Sequence, residues 1–237
     1  MYIDAFAGAG LNISRWSGDF VQGSPLNALQ VVPPFEEFFF IDLDSGKANL
    51  LRSLVGPRSD VQIYEGDANE ILLKEVFPKV RYQDYRRGLC LLDPYGLHLR
   101  WEVVKLAGQL RTIDMFLNFP IMDMNRNSLW RNPERVDESD RQRMNAFWGG
   151  ESWRQAAYRL ERTLFGDEEV KQENLAVVNA YCDRLRSVAD FGNVATPLPM
   201  RNKRGAVVYY LLFAAQKQVA ENIVESIFTK YQTRGLA

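Results

Sequence analysis

The chain has 237 residues, 46% of them hydrophobic and 25% charged, with a formal net charge of −1. Those figures describe an ordinary globular protein with room for one sizeable core and a subdomain. They exclude the global positive field that advertises a nucleic-acid partner, while leaving a local basic patch open. The two cysteines, Cys90 and Cys182, stand in unrelated contexts, which excludes a disulfide scaffold and a cysteine zinc site and fits a reducing cytoplasm. The apolar start at Tyr2 is short and carries Asp4, unlike a signal peptide. No run approaches the ~20 apolar residues that span a bilayer.

Tyr2 to Phe6 reads as a short strand that enters a turn with glycines at Gly8 and Gly10. A doubly wound domain usually covers its first strand with an earlier helix, so a sequence trimmed or truncated at its start is expected. Residues 11 to 23 read as a polar, glycine-containing loop. Ser24 as N-cap and Pro25 at the first helical position then open a helix through about Val32, and Pro33-Pro34 ends it. Phe38 to Asp42 is a continuous apolar run closed by an acid, as a buried parallel strand requires. A helix over Ser45 to Leu54 stops at Gly56-Pro57. Val61 to Tyr64 forms a third strand ending at Glu65-Gly66-Asp67, with a helix from Asn69 to Phe77 behind it. Gly88 to Leu92 forms a fourth, closed by Asp93-Pro94-Tyr95-Gly96. Trp101 to Leu110 is helical, and Ile113 to Phe119 forms a fifth strand closed by Pro120.

Five alternations of strand and helix are the pattern of a parallel sheet covered on both faces. The alternation then stops. Residues 126 to 188 hold Arg- and Trp-containing segments without a convincing strand and read as an inserted helical subdomain. Residues 1–125 and 189–237 make the main α/β domain. Asn193 to Met200 and Ala206 to Ala215 are strands joined by Asn202-Lys203-Arg204-Gly205, an antiparallel hairpin. A last helix covers Val219 to Tyr231. The expected fold is therefore α/β: a doubly wound, Rossmann-like, seven-stranded sheet with an antiparallel terminal hairpin, as in class I methyltransferases, plus the helical insertion. A nicotinamide-binding domain has six parallel strands and a flavodoxin-like domain lacks the hairpin, so both fit less well.

Open parallel sheets bind ligands at the carboxyl ends of their strands, where every candidate lies. The first end, Asp4 to Gly10 with Phe6, Gly8 and Gly10, lets the backbone approach a ligand closely. The following loop is too long for a dinucleotide fingerprint and suits S-adenosylmethionine (SAM), which carries no phosphate. Asp42 closes the second strand and is placed to accept hydrogen bonds from ribose hydroxyls, with Asp44 as a near competitor that reads more readily as a solvated loop acid or helix N-cap neighbour. Asp67 and Ala68 close the third; Asp67 suits the adenine amino group and equally an N-cap, and serves both only if its oxygens point apart. Asp93-Pro94-Tyr95 closes the fourth and is the expected catalytic element. There a carboxylate accepts from an exocyclic amine, proline fixes the turn, and Tyr95 stacks on a flat substrate or packs inside. Asn118 at the fifth end and His98 beyond the turn are candidate substrate contacts, with turn capping and an ordinary surface position as the plainer readings. A lone histidine forms no usual metal cluster, so no metal is expected.

Tyr2 to Gly10, Gly23-Ser24-Pro25-Leu26, Phe40-Ile41-Asp42, Gly66-Asp67-Ala68 and Asp93-Pro94-Tyr95-Gly96 together resemble the three-Cys-motif partner (TcmP) proteins. These are bacterial, methyltransferase-like proteins encoded beside a protein with a three-cysteine motif. The resemblance extends to Thr196-Pro197-Leu198-Pro199 and the Val207 to Phe213 strand. It implies a class I methyltransferase fold and a possible three-cysteine-motif partner, but no assigned substrate. The Asp93 turn also resembles the D-P-[YF]-G turn of tRNA guanine-N2 dimethyltransferases more than the D-P-P-Y turn of DNA amino-methyltransferases. Cys90 precedes the acid and reads as core, not as a 5-methylcytosine nucleophile.

From Arg126 to Arg162 there are eight arginines against six acids, interleaved with Trp130, Trp148 and Trp153. Such a segment suits nucleic acid, yet reads more readily as a salt-bridged subdomain with a tryptophan core. The expectation is a cytoplasmic SAM-dependent methyltransferase acting on an amino nitrogen of tRNA or DNA. The alternative is a methyltransferase-like partner protein without turnover of its own.

Overall fold

The computed structural model describes residues 1–13, 18–163 and 166–234. It divides into two compact units, Met1–Asp93 with Leu110–Phe116, and Pro94–Gln109 with Leu117–Ala237. The first unit holds β1 (Tyr2–Asp4), β2 (Leu11–Ile13), β3 (Phe20–Gln22), α1 (Ser24–Ala28), β4 (Phe38–Asp42) and α2 (Ser45–Val55). It continues with β5 (Val61–Glu65), α3 (Ala68–Ile71), β6 (Gly88–Leu92) and the start of β7 (Ile113–Phe119).

Its sheet runs β7-β6-β1-β4-β5, with β1 parallel to both β4 and β6 and β4 parallel to β5. The unbroken Phe38-Phe39-Phe40-Ile41 run is explained by cover on both faces, since all four side chains are fully buried. Tyr2, Phe38 and Phe40 pack with Leu26 and Ala28 of α1 and with Leu51 and Val55 of α2. On the opposite face Lys79 sets its ammonium 5.3 Å from the Phe39 ring centroid. Val80 and Ile3 on that face close over Gly88, where a methyl group would meet them at 3.4 and 3.2 Å. The doubly wound arrangement expected from the sequence is present.

Three local expectations are corrected in this unit. The polar loop of residues 11 to 23 contains the antiparallel pair β2–β3, with Leu11 opposite Gln22; residues 14–17 of that loop lie outside the described part. The helix expected from Ser24 to Val32 stops at Ala28, and its N-cap is Gly23 instead of Ser24. The helix expected over Asn69 to Phe77 is α helical only through Ile71. It widens to a π turn at Leu72–Val76 and tightens to a 3₁₀ turn at Phe77–Lys79, where Pro78 offers no N–H for an α-helical bond.

The second unit holds α4 (Trp101–Gln109), the end of β7, α5 (Ile121–Asn127), α6 (Glu138–Trp148), α7 (Trp153–Ala157), β8 (Tyr158–Thr163), β9 (Gly166–Lys171) and α8 (Asn174–Ser187). It ends with β10 (Asn193–Val194), β11 (Leu198–Arg201), β12 (Val207–Ala215) and α9 (Gln218–Arg234). Its strands run β10-β12-β7, with β11 also on β12, and both β10 and β11 are antiparallel to β12. The strand expected over Asn193 to Met200 is thus broken in two. Val194 faces Ala214 but Leu198 faces Leu211, so one extra residue bulges out between them. The Thr196 N–H donates instead to Glu225 of α9 at 2.5 Å.

Residues 126 to 188, read as helical segments without a convincing strand, include the antiparallel hairpin β8–β9. The expected tryptophan core holds in part: Trp148 and Trp153 are buried but Trp130 is 40% exposed, and Phe119, Phe147, Trp148 and Trp101 ring Tyr181 at centroid distances of 4.9 to 5.5 Å. Arg184 lays its guanidinium 4.7 Å from the Trp101 ring centroid.

Gly10 sits at φ +77°, and a methyl group there would lie 2.7 Å from Leu51 Cδ1. Gly56 has a similar φ of +70° with nothing within 4 Å. Gly56 combines that φ with ψ −172°, backbone open essentially to glycine alone, so Gly56→Ala is expected to cost about 2 kcal/mol of unfolding free energy in urea. Gly10→Ala adds overpacking against α2 and is expected to cost about 3 kcal/mol.

Candidate cofactor and substrate site

The carboxyl end of the first unit's sheet gathers the sequence-predicted acids around the turn after β1. Asp4 is fully buried. Its carboxylate accepts the Phe6 N–H at 3.3 Å and the Ser24 hydroxyl. Burial, aided by the nearby charges of Asp93 and Asp42 and partly offset by those two bonds, pushes the Asp4 carboxyl up to about 6.

The turn then passes β4. The Ala7 N–H donates to the Ile41 carbonyl at 2.9 Å, and the Gly8 N–H donates to Asp42 Oδ2 at 2.8 Å. Asp42 Oδ1 accepts the Asp44 N–H at 2.9 Å. One carboxylate thus fixes both the glycine turn and the start of the next connection. Gly8 has φ +64° and open space where a side chain would stand, so a ligand meets bare backbone there. Half-buried Phe6 and buried Gly10 flank it.

Asp44 is the N-cap of α2, accepting the Lys47 N–H at 3.1 Å, which separates its task from that of Asp42. The Asp42 carbonyl accepts the Gly66 N–H at 3.0 Å and draws the β5 end alongside. Asp67 caps α3 with Oδ1 alone, accepting from Asn69 and Glu70 at 2.7 and 3.2 Å. Its other oxygen stays outside the cap, as a double role requires. Ala68 behind it is buried.

Two residues escaped the sequence reading. The Gly23 N–H donates to the Gly10 carbonyl at 2.8 Å, and Ser24 holds Asp4. Ser24-Pro25 reads in sequence as a helix start with Gly23 in the loop before it; Gly23 and Ser24 also brace the glycine turn from across β2 and β3. A methyl group on Gly23 would lie 3.2 Å from the Gly10 carbonyl oxygen, which leaves little room for any other residue.

Asp93 ends the first unit, exposed yet near enough to Asp4 to raise its pKa. Pro94 begins the second unit and is buried, whereas Tyr95 is 76% exposed, so it is not packed inside. Gly96 takes φ +66° against Asp123, whose Oδ2 would lie 2.6 Å from a methyl group there. His98 is exposed, and Asn118 is half-buried between buried Leu117 and Phe119. Among the described residues no three His, Cys, Asp or Glu side chains gather as metal ligands, and no helix is long and apolar enough to cross a membrane. In the Arg-rich segment Arg154 pairs with Glu134 and Glu169, Arg143 with Asp140, Arg141 with Glu138 and Arg159 with Glu161. Those four arginines find their partners between residues 134 and 169.

A central parallel sheet wound on both faces, with antiparallel strands closing the chain, is the class I methyltransferase type of fold. No protein-family model matches the chain, and no curated protein matches it. Among solved structures it is similar to the Legionella pneumophila protein LPL1258, of the family model DUF519, at TM-score 0.52 and 11% identity over 97% of this chain and 83% of that one. It is also similar to an S-adenosylmethionine dependent methyltransferase from Mesorhizobium loti, at TM-score 0.41 and 12% identity over 90% of this chain and 89% of that one. Identities this low speak to the fold alone.

Asp4 gives a stability signature. The unfolded carboxyl titrates near its ordinary value of 3.8 and the folded one at about 6. Between those values the folded chain binds the extra proton, so this group's contribution falls as pH rises and levels off above 6. The loss amounts to about 3 kcal/mol. Asp4→Asn is expected to remove that slope when urea unfolding is followed from pH 4 to 7, and an unchanged slope counts against the assignment.

Proposed function

We propose that the chain binds SAM at the carboxyl ends of β1, β4 and β5 and transfers its methyl group to an amino nitrogen. The observation that carries this reading is the Asp42 carboxylate, fixed by the Gly8 and Asp44 N–H groups at the mouth of a glycine turn that is open at Gly8. Each of its oxygens retains a lone pair toward the pair of ribose hydroxyls. The backbone from Phe6 to Gly10 suits the methionine part, with Asp4 acting through the turn it braces, being fully buried. Asp67 Oδ2, beside Ala68, suits the adenine amino group. SAM supplies a methyl group already activated by its sulfonium charge.

The chain's own task is then to hold and aim the acceptor. Asp93 accepts an N–H of the acceptor amine and turns its lone pair toward the methyl group, a proximity effect. Pro94 fixes the backbone between Asp93 and Tyr95, and the exposed Tyr95 ring offers a stacking face for a flat acceptor. Asn118 and His98 are assigned to the acceptor's edge. The Asp93-Pro94-Tyr95-Gly96 turn favours a nucleic-acid base in tRNA or DNA as that acceptor. The motif resemblance supports a kinship with the bacterial TcmP proteins. Two free, buried thiols suit a cytoplasmic setting.

Calorimetric titration with SAM and with S-adenosylhomocysteine is expected to give micromolar binding. Asp42→Ala is expected to weaken it more than tenfold, about 1.4 kcal/mol or more. Asp93→Ala is expected to keep SAM affinity within about tenfold and abolish transfer of labelled methyl to bulk tRNA or DNA. Absence of binding to either ligand would overturn the SAM reading. Binding without transfer to any acceptor would favour the alternative, a partner module serving a three-cysteine-motif protein.

A further inference from the structure

Four of the eight arginines between Arg126 and Arg162 have carboxylate partners. Arg126 and Arg131 make no ion pair among the described residues, and both are exposed. They stand at and just beyond the carboxyl end of α5, the helix whose Asp123 lies against Gly96 of the Tyr95-Gly96 turn. Between them is Trp130, 40% exposed. Its ring N–H donates to the Arg126 carbonyl at 2.7 Å, and its own carbonyl accepts the Tyr158 hydroxyl at 2.6 Å. The indole is thus fixed with its one polar atom satisfied, and what it offers solvent is ring surface. A third cation joins this group. Half-buried Lys171 of β9 donates to Asn125 Oδ1 at 2.6 Å and to the Leu129 carbonyl, both neutral acceptors. Two of its three donors are used and one remains. Burial, and then the like charge of Arg131, lower the Lys171 pKa. Two cations held near each other without a carboxylate on either gain by taking an anion.

We propose that Trp130, Arg126, Arg131 and Lys171 form a seat for a single-stranded stretch of nucleic acid, with one base on the indole and neighbouring phosphates on the three cations. The proposal rests on the reading of the acceptor as a nucleic-acid base, and it adds where the strand is held outside the reacting base. Both halves of strand binding are present: a stacking face, which every base accepts, and positive charge, which follows the backbone. A duplex keeps its bases stacked on one another and offers the indole nothing but an end, so it fits less well. The hairpin β8–β9 gains a task on this reading. Tyr158 from β8 and Lys171 from β9 hold the segment from Asn125 to Trp130 in the shape that presents the ring.

Fluorescence anisotropy on the whole chain without SAM tests the seat, using a labelled single-stranded RNA of about 15 nucleotides and the same sequence as DNA. The tighter-bound of the two tells which kind of strand the seat serves. The wild type is expected to lose about two decades of affinity per decade of salt, the slope of three phosphate contacts. Arg131→Gln is expected to weaken binding about fivefold at low salt and to lower that slope by about 0.7. Trp130→Leu is expected to weaken binding about tenfold with the slope unchanged. Lys217→Gln, at an exposed position just past β12, is expected to change neither. No binding by the wild type at about 50 mM salt, tighter binding of the corresponding duplex, or equal losses from Lys217→Gln and Arg131→Gln would overturn the proposal. Calorimetry reads SAM without the strand, so the two readings fail separately. A chain that binds the strand and not SAM keeps the seat and loses the cofactor reading, and a chain that binds SAM and no strand does the reverse.

Discussion

A glycine turn has no side chains with which to hold itself, so its shape must be imposed by its neighbours. In this chain the turn after β1 is held at several points. Asp42 takes the Gly8 N–H, the Ile41 carbonyl takes that of Ala7, Gly23 reaches the Gly10 carbonyl, and Asp4 with Ser24 secures its root. Each bond comes from a different stretch of sequence. The sheet is what makes them meet: parallel pairing of β1 with β4 sets Asp4 beside Phe40 and so brings Asp42 level with the turn. The buried carboxyl of Asp4 is costly: the Phe6 N–H and the Ser24 hydroxyl meet part of its need, Oδ2 has no partner among the described residues, and burial raises its affinity for a proton.

The parts of this arrangement that were legible in the sequence share one property: the local pattern and the tertiary demand agree. Phe38 to Asp42 announces a strand buried on both faces because its apolar run does not alternate. Asp67 announces a helix start because acids accept the first free N–H groups, and it caps as that rule requires.

The parts that were not legible share the opposite property. Tyr158 to Thr163 and Gly166 to Lys171 are strands rich in Arg and Glu, and Glu161 even stands across from Glu168. Neither an apolar alternation nor a turn signature marks them, and only the pairing of the two segments makes them strands. Ser24 looked like a cap because serine beside proline usually is one; a distant buried acid claims its hydroxyl instead. The same limit applies to the Arg-rich segment. Its composition admits a polyanion or internal pairing, and the choice depends on where Glu134 and Glu169 arrive in three dimensions.

The bulge between Val194 and Leu198 carries a consequence for how this edge can vary in length. A single residue lost there would close the ladder smoothly and leave Val194 opposite Ala214 and Leu198 opposite Leu211, so the sheet itself does not require it. What the spare residue does is keep the Thr196 amide out of the ladder and offer it to Glu225. The irregularity is therefore a tether: one surplus residue lets this edge of the sheet grip the last helix, and the length from Val194 to Leu198 is set by that helix.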